Sequence, residues 1–241
     1  MSTPTFTVPE GFTLHKENTS AILLPASNDA FLNPVQEFNR DLSVACIRTW
    51  GALMNEEKER KWRQTSERRA KKADVGAHKA KKAKTEENGN AEASAAVQPP
   101  ADAPAPQPAD VQVPLEFRPH RFVVLEALSA TGLRSIRYAN EIPDIKYVIA
   151  NDLSPAAVEA MLRNVELNDL HEKEEAPTEG SSDKLVRPAK VRVNEGDACA
   201  LMYNHRTERN RVDVVDLDPY GTAAPFVDAS VQCVNDGGMS G

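Results

Sequence analysis

With 241 residues and 40% hydrophobic composition, the chain is long enough for one sizeable domain or two small ones with a packed core. Its formal net charge of -7 argues against a nucleic-acid partner, because phosphate binding normally uses an excess of Lys and Arg. The charge is uneven, however, since residues 56–84 carry 12 Lys and Arg against 5 Asp and Glu, and the remainder carries 17 against 31. A basic tract therefore accompanies an acidic body.

The three cysteines, Cys46, Cys199 and Cys233, are far apart and lack C-x-x-C spacing, which argues against both a disulfide framework and a zinc site. No apolar run approaches the roughly 18 to 20 residues that span a bilayer, and the N-terminus lacks the pattern of a secretory signal. We therefore expect a soluble intracellular protein with reduced thiols and no bound metal.

The first segment of the chain, residues 1–54, is predicted to be an ordered part of the main domain. Within it, Asn33–Trp50 is predicted to form a helix, because Val35, Phe38, Leu42 and Ala45/Cys46 recur at helical spacing. We expect these residues to form its one apolar face.

Residues 55–114 have a different character: a Lys/Arg/Glu/Ala run is followed by an Ala/Pro-rich stretch with almost no large apolar residue. Such a segment cannot bury enough surface to offset the entropy of ordering it, so we predict a disordered insertion. A solvated helix over Glu56–Lys72 is the alternative for its first part.

Strands and helices alternate over residues 115–241, interrupted by a polar insertion near 171–187. This pattern predicts a parallel sheet with helices on both faces, in which ligands bind beyond the carboxyl ends of the strands. The predicted elements are a strand over Arg121–Ala127, a helix over Leu133–Asn140, a strand over Lys146–Ala150, a helix capped by Ser154, a strand over 190–195, a short helix over 197–205, a strand over 212–218 and a helix over Ala224–Val234 that ends at Gly237-Gly238. The polar residues at or just after the predicted strand ends, where a ligand would bind, are Glu126, Asp152, Asp197 and Asp216/Asp218.

The turn after the first of these strands, EALSATGLRS, clusters small residues, among them Ser129 and Gly132, where a ligand could approach the backbone. Asp152 follows Gly132 by twenty residues, the spacing at which a carboxylate accepts hydrogen bonds from the ribose of an adenosine cofactor. The scarcity of glycines argues against a pyrophosphate and favours S-adenosylmethionine. A turn of small residues also occurs in many α/β proteins for packing reasons alone.

The stretch VDVVDLDPYG places two aspartates, a proline and a tyrosine after a buried strand. Methyl transfer to an exocyclic amine needs acceptors for the amine hydrogens and an in-line geometry. Asp218 and the backbone around Pro219 supply acceptors, and Tyr220 could stack on a flat base. A simple turn, with Tyr220 as a lid over the core, is the alternative, and Asp216 is expected to pack or cap.

Five stretches, NPVQEFNRDLS, LEALSATGLRSIRYA, NDLSPAAVEAMLRNVELN, GDA and DLDPYG, occur here in an order that resembles the tRNA guanine-26 N2-dimethyltransferases. The match covers about residues 25–50 and 118–238. The resemblance implies a Rossmann-like class I methyltransferase fold. It also implies mono- and then dimethylation of the exocyclic N2 of guanine 26 of tRNA, with S-adenosylmethionine as donor.

The resemblance also implies roles for individual residues. Asp218 would be the catalytic acceptor, Pro219 would offer its carbonyl, and Tyr220 and Phe31 would frame the target base. A surface salt bridge is the alternative for Arg40 and a helix N-cap that for Asp197. The residues implied to hold the cofactor, together with the two from the small-residue turn, are Arg40, Ser129, Gly132, Arg134, Asp152, Asp197 and Ala198.

The end of the sequence departs from the pattern of the family, because the class has about three more strands than the four predicted here. We therefore expect an incomplete sheet, weak cofactor binding and poor methylation by this chain, which resembles a C-terminally truncated member. A catalytically weak or inactive binding module is the alternative function. A methyltransferase acting on DNA adenine or on protein is a third hypothesis, although such enzymes usually carry two prolines where this chain has one.

Two functions are possible for the basic tract Lys58–Lys84, and the alternative is a solvated helix without further function. Two Lys/Arg clusters about ten residues apart are typical of nuclear import signals, and the same charges could bind tRNA phosphates. We expect tRNA as partner, no membrane, and a nuclear location with the mitochondrion or cytoplasm as alternatives.

Overall fold

The computed structural model of the chain describes residues 7–27, 32–33, 35–87, 116–175 and 185–241. For residues 72–87 it describes the backbone only. These ranges contain nine strands and five helices. In chain order they are β1 (Phe12–Glu17), β2 (Ser20–Pro25), α1 (Gln36–Glu87), β3 (Phe122–Glu126), α2 (Leu133–Glu141), β4 (Ile145–Asp152), α3 (Pro155–Leu167), β5 (Lys173–Glu175), β6 (Leu185–Arg187), β7 (Val191–Glu195), α4 (Ala198–Asn204), β8 (Val212–Asp216), α5 (Ala224–Cys233) and β9 (Val234–Ser240).

A five-stranded sheet in the order β7-β4-β3-β8-β9 forms the centre of the fold, and every neighbouring pair is parallel. Successive residues of β3 point to opposite faces, with Val124 packing in one apolar cluster and Val123 in another. The first cluster contains side chains of α1, α2 and α3, and the second contains side chains of α4 and α5. The predicted parallel sheet with helices on both faces is confirmed.

The N-terminal strands β1 and β2 form an antiparallel hairpin that the sequence did not reveal. Its second strand is buried, and its backbone binds helix α3, where the side chains of Asn164 and Asn168 accept from the N–H groups of Leu23 (2.9 Å) and Ala21 (3.1 Å). The hairpin therefore belongs to the same hydrophobic core as the sheet.

The apolar face predicted for the first helix is wrong, although the helix itself is present. Val35, Phe38 and Leu42 are 78%, 71% and 52% exposed. The helix packs instead through Arg40, Val44, Ile47 and Gly51, which recur at the i, i+4, i+7 spacing of a single face. Gly51 permits the close approach on this face, because a Cβ there would lie 2.8 Å from the ring of Phe122.

Helix α1 continues to Glu87, so the first part of the predicted insertion matches the alternative of a solvated helix over Glu56–Lys72 and extends beyond it. Lys, Arg, Glu and Ala are strong helix formers, and spacing of four residues pairs Glu57 with Lys61 (3.2 Å) and Glu59 with Arg63 (2.7 Å). Residues 88–114 lie outside the described ranges. The chain divides into two compact units, Met1–Met54 with His120–Gly241, and Asn55–Pro119.

The last helix is shorter than predicted, and the residues after it form strand β9 of the central sheet. The polar sequence NDGGMS lacks the alternation of apolar and polar residues by which a strand is predicted. Its two glycines permit the irregular pairing with β8. Gly237 has φ +76°, and a Cβ at Gly238 would lie 2.6 Å from the Asp213 carbonyl oxygen. The central sheet therefore has five strands instead of the four that the sequence predicted.

The polar insertion near 171–187 contains strands β5 and β6, which pair with each other in an antiparallel hairpin. Residues 176–184 between them lie outside the described ranges. In the part of the chain that the structure describes, no helix is both long and apolar enough to cross a membrane.

Candidate functional site

A cavity of about 800 Å³ opens at the carboxyl edge of the central sheet. This volume falls in the usual range for a small-molecule or cofactor site. Its lining comes from the start of α1 and from the segments that follow β3, β4 and β8. The lining residues are Leu32, Asn33, Gln36, Arg40, Glu126, Leu128, Ser129, Ala130, Thr131, Leu133, Arg134, Asp152, Asp218, Pro219, Tyr220, Thr222, Pro225 and Phe226.

The turn between β3 and α2 has an unusual backbone, and Ser129, Ala130 and Thr131 of this turn line the cavity. Ala130 and Gly132 have φ of +48° and +77°. Gly132 does not line the cavity, but a Cβ at this position would lie 3.1 Å from Met161 Cγ, so the turn packs closely on α3. The Ser129 amide donates to the Asn151 carbonyl (2.7 Å), which ties the turn to the end of β4.

Asp152, the last residue of β4, connects this turn to the beginning of α3. Its Oδ2 accepts from the Ala130 amide (2.9 Å) and its Oδ1 from the Ser154 amide (2.9 Å). Each carboxylate oxygen can accept a second hydrogen bond, so Asp152 keeps acceptor capacity toward the cavity. Its role as a ribose ligand stays a prediction.

Asp218, Pro219 and Tyr220 follow β8 and all line the cavity. Asp218 Oδ2 accepts a short hydrogen bond from Arg134 Nη2 (2.6 Å), and its side chain is 45% exposed. Tyr220 is 92% exposed. The carboxylate is thus fixed on one side, while the aromatic ring is free to contact a ligand.

Two buried carboxyl groups, those of Glu126 and Asp216, lie next to each other at the ends of β3 and β8. Burial and the neighbouring Asp216 raise the pKa of Glu126 to about 8, and burial likewise raises the pKa of Asp216. Glu126 accepts from the Ser135 amide (3.0 Å), and Asp216 accepts from the Tyr138 hydroxyl (2.5 Å). Burial of Tyr138 next to Asp216 raises the pKa of its phenol well above 10.

Arg40 lines the cavity but is engaged by a buried carboxylate. Its Nε and Nη2 donate to Glu17 Oε2 (2.8 Å) and Oε1 (2.5 Å), and Arg137 Nη1 also donates to Glu17 (3.2 Å). The ion pair is buried, whereas the alternative considered from the sequence was a surface pair. A direct role of Arg40 in holding a cofactor stays a prediction.

Besides Gly132, two predicted site residues in the described part of the chain, Asp197 and Ala198, are not among the residues that line the cavity. Asp197 is the N-cap of α4, where its Oδ1 accepts from the Ala200 amide (2.8 Å), and Ala198 is buried in the cluster below the sheet. Both follow β7 at the same edge, since the Gly196 amide donates to the Asp152 carbonyl (3.0 Å). Phe31 lies outside the described residues.

Several lining residues were not predicted as site residues. The sequence predicts Glu126 only as a strand end and gives no prediction for Phe226, which lies on the first turn of α5. The position of Phe226 in the sequence could have predicted it as a site residue. An aromatic residue at the start of the helix that follows a strand-end motif lies at the same edge of the sheet as the motif. No group of three or more His, Cys, Asp or Glu side chains suited to a metal ion occurs among the described residues.

Comparison with known proteins gives a consistent result. The model of a family described as N2,N2-dimethylguanosine tRNA methyltransferase matches residues 11–240. The chain is 40% identical over 240 residues to the mitochondrial tRNA (guanine(26)-N(2))-dimethyltransferase of Saccharomyces cerevisiae, covering 95% of the chain and 34% of the relative. It is 39% identical over 223 residues to the Mus musculus tRNA (guanine(26)-N(2))-dimethyltransferase, covering 92% and 29%. The chain thus spans about a third of the length of the relatives it matches.

Among solved structures, the fold is similar to that of Trm1 from Pyrococcus horikoshii in complex with S-adenosyl-L-methionine. The TM-score is 0.50 at 24% identity, and the alignment covers 92% of this chain and 40% of that one. This similarity supports the fold assignment.

Proposed function

The chain belongs to the N2,N2-dimethylguanosine tRNA methyltransferase family, and on that premise we propose that it transfers methyl groups from S-adenosylmethionine to the exocyclic N2 of guanine 26 in tRNA. One observation carries the proposal. The turn around Ser129, the Asp152 carboxylate and the motif Asp218-Pro219-Tyr220 line one cavity, although about ninety residues separate the turn from the motif.

The turn and Asp152 suit the donor. The positive φ of Ala130 turns the backbone so that its amide binds Asp152, and the carboxylate retains acceptors for a diol. The absence of side chains larger than Thr at 129–132 leaves room for a ligand close to the backbone. When bound, S-adenosylmethionine supplies an electrophilic methyl group.

Asp218 suits the acceptor amine. Arg134 occupies its Oδ2, and among the described residues no partner is found for its Oδ1, which faces a partly exposed site. A carboxylate oxygen in this state can accept an N–H of an exocyclic amine and stabilise the positive charge that develops on it. Pro219 lines the same cavity, would offer its carbonyl as a further acceptor, and has no N–H that would compete for it.

Tyr220 suits the flat face of the target base. Its ring is almost fully exposed at the cavity, so stacking costs little reorganisation of the protein. Phe226 lines the same cavity and offers a second apolar surface. We keep Phe31 as a further base contact on the grounds of the resemblance.

The basic tract suits tRNA phosphates or a nuclear import receptor. The positive side chains that the structure describes there are exposed, so either partner could reach them. They are Lys58, Arg60, Lys61, Arg63, Arg68, Arg69 and Lys71. We propose a nuclear location, with the mitochondrion or cytoplasm as alternatives.

Deletion of residues 56–84 separates these two roles. Loss of nuclear accumulation by a fluorescent fusion, at unchanged tRNA affinity, supports the import signal. Weaker tRNA binding with a smaller salt dependence supports the phosphate contact. Neither effect would leave the tract as a solvated helix.

The activity itself is tested with radiolabelled S-adenosylmethionine and unmodified tRNA that carries guanine at position 26, with an adenine-26 transcript as control. We expect label in the guanine transcript only, as N2-methylguanosine and N2,N2-dimethylguanosine after digestion. Cofactor binding without label transfer would favour the alternative of a binding module. Equal labelling of the adenine transcript would overturn the proposal.

A further inference from the structure

We propose that Ser43 is a positioning residue for the proposed methyl transfer, because its hydroxyl fixes the Arg134 guanidinium and, through it, the Asp218 carboxylate. The proposal rests on the proposed function and adds to it a residue of α1 that does not line the cavity. Ser43 therefore acts through Arg134 and not on a ligand.

Two contacts on different nitrogens hold the Arg134 guanidinium. Nη1 donates to Ser43 Oγ (2.8 Å), and Nη2 donates to Asp218 Oδ2 (2.6 Å). The side chain is buried, so water does not substitute readily for either contact. Because the guanidinium is planar, one contact from α1 and one from the end of β8 together set its orientation.

Asp216 competes for the same guanidinium. Its Oδ2 lies 3.7 Å from Arg134 Nη1, too far for a hydrogen bond, and accepts from the Tyr138 hydroxyl instead. A buried carboxylate attracts a neighbouring cation strongly, since the local dielectric constant is low. The Ser43 hydroxyl holds Nη1 away from this carboxylate.

Loss of the hydroxyl has a defined consequence. Nη1 would then be drawn to the Asp216 carboxylate, and closing the 3.7 Å gap requires the guanidinium to shift or rotate. Since the two terminal nitrogens move together, Nη2 would leave its position against Asp218. Ser43 thus decides which of the two strand-end carboxylates Arg134 holds closely.

The variants for the test are Ser43→Ala, which removes the hydroxyl, and Ser43→Thr, which keeps it. Thr49→Ala is the matched control, because it removes a hydroxyl from the exposed side of the same helix. Alanine is the better helix former, so neither alanine variant should weaken α1. All variants are made in the full chain.

The first measurement is steady-state methyl transfer to tRNA. We expect Ser43→Ala to lower kcat roughly tenfold to a hundredfold, because a small displacement of a catalytic group has an effect of this size, and to change KM for tRNA less than about twofold. Ser43→Thr should restore most of kcat, and Thr49→Ala should match the unaltered chain. A wild-type kcat in Ser43→Ala would overturn the proposal.

The second measurement does not depend on activity. The NMR signals of the Arg134 side chain, assigned by their loss in Arg134→Lys, report how slowly its guanidinium rotates. We expect restricted rotation in the unaltered chain, Ser43→Thr and Thr49→Ala, and faster rotation or a shifted signal in Ser43→Ala. An unchanged Arg134 signal in Ser43→Ala would refute the positioning role even if kcat fell. If the unaltered chain transferred no methyl group, the proposed function would fail while this signal still decided the role of Ser43.

Discussion

Glu126 and Asp216 face each other in register on strands β3 and β8, with both carboxyl groups buried beneath the cavity. Burial and the proximity of Asp216 raise the pKa of Glu126 from 4.5 to about 8. Between these two values the folded protein holds a proton that the unfolded chain has released. The stability that this proton contributes is therefore complete below about pH 4.5 and is lost as the pH rises toward 8.

We predict that the free energy of unfolding falls between about pH 5 and pH 8, and that Glu126→Gln abolishes most of this fall. Glutamine resembles the protonated side chain at every pH, so the variant should be the more stable protein at pH 8, by on the order of a few kcal/mol. Urea unfolding across this range measures the effect. Glu195→Gln, which changes an exposed glutamate, is the control, and an unchanged pH dependence in Glu126→Gln would contradict the prediction.

Replacement of Asp218 should impair catalysis far more than it impairs folding. Asp218→Asn keeps the shape but loses the charge that holds Arg134 and stabilises the developing positive charge on the amine. We expect kcat for methyl transfer to fall by about 100-fold or more, and the thermal midpoint to fall as well, because the buried Arg134 guanidinium loses its close carboxylate. Asp236→Asn, at a fully exposed carboxylate after α5, should leave kcat unchanged. Activity within about twofold of the unaltered chain would exclude Asp218 as the acceptor.

Replacement of Tyr220 should lower kcat/KM for tRNA without changing the stability of the protein. Tyr220→Leu removes an aromatic surface that is exposed and makes no core contact, so stability should not change. The loss of base stacking should weaken transition-state binding by about 1 to 3 kcal/mol, seen as a lower kcat/KM for tRNA. Tyr220→Phe keeps the ring and should remain close to the unaltered chain. Equal losses in both variants would point to the hydroxyl instead of the ring.

Gly132 should resist substitution for two reasons. Its φ of +77° is unfavourable for other residues, and a Cβ there would lie 3.1 Å from Met161 Cγ. Gly11 has a similar φ of +83° with nothing within 4 Å of an added Cβ, so Gly11→Ala isolates the backbone contribution. We expect Gly11→Ala to cost about 1 kcal/mol and Gly132→Ala clearly more, measured by urea unfolding. Equal losses would mean that Met161 adapts freely.

Glu17 should be important for stability because two buried arginines depend on it. Glu17→Gln leaves Arg40 and Arg137 without their shared carboxylate, which should cost about 3 kcal/mol or more. Glu57→Gln breaks exposed ion pairs on α1 and should produce no measurable change in the urea midpoint. Arg137 also binds Asp41 (2.6 Å) and Glu141 (2.8 Å). A Glu17→Gln variant as stable as Glu57→Gln would contradict the prediction and show that these two carboxylates suffice for Arg137.

Much of the local structure followed from the sequence because it depends on neighbours in the chain. The alternation of buried strands and helices predicted β3, α2, β4, α3, β7, α4, β8 and the start of α5. Hydrophobic runs and helix starts such as Ser154-Pro155 are legible without knowledge of the partners. Strand β9 was missed because its two glycines and polar residues pair through a backbone irregularity that has no periodic signature.

The sequence by itself determined the order of strands and helices and placed polar side chains at the strand ends, since both follow from contacts within a few residues. Only the tertiary structure decided which face of α1 is buried, because that depends on contacts with distant elements, such as the close approach of Gly51 to Phe122. It also decided that Arg134 binds Asp218 and Ser43, and that Arg40 binds Glu17. These contacts join residues distant in the chain, and burial makes each a matter of geometry and competing charges that no local pattern encodes.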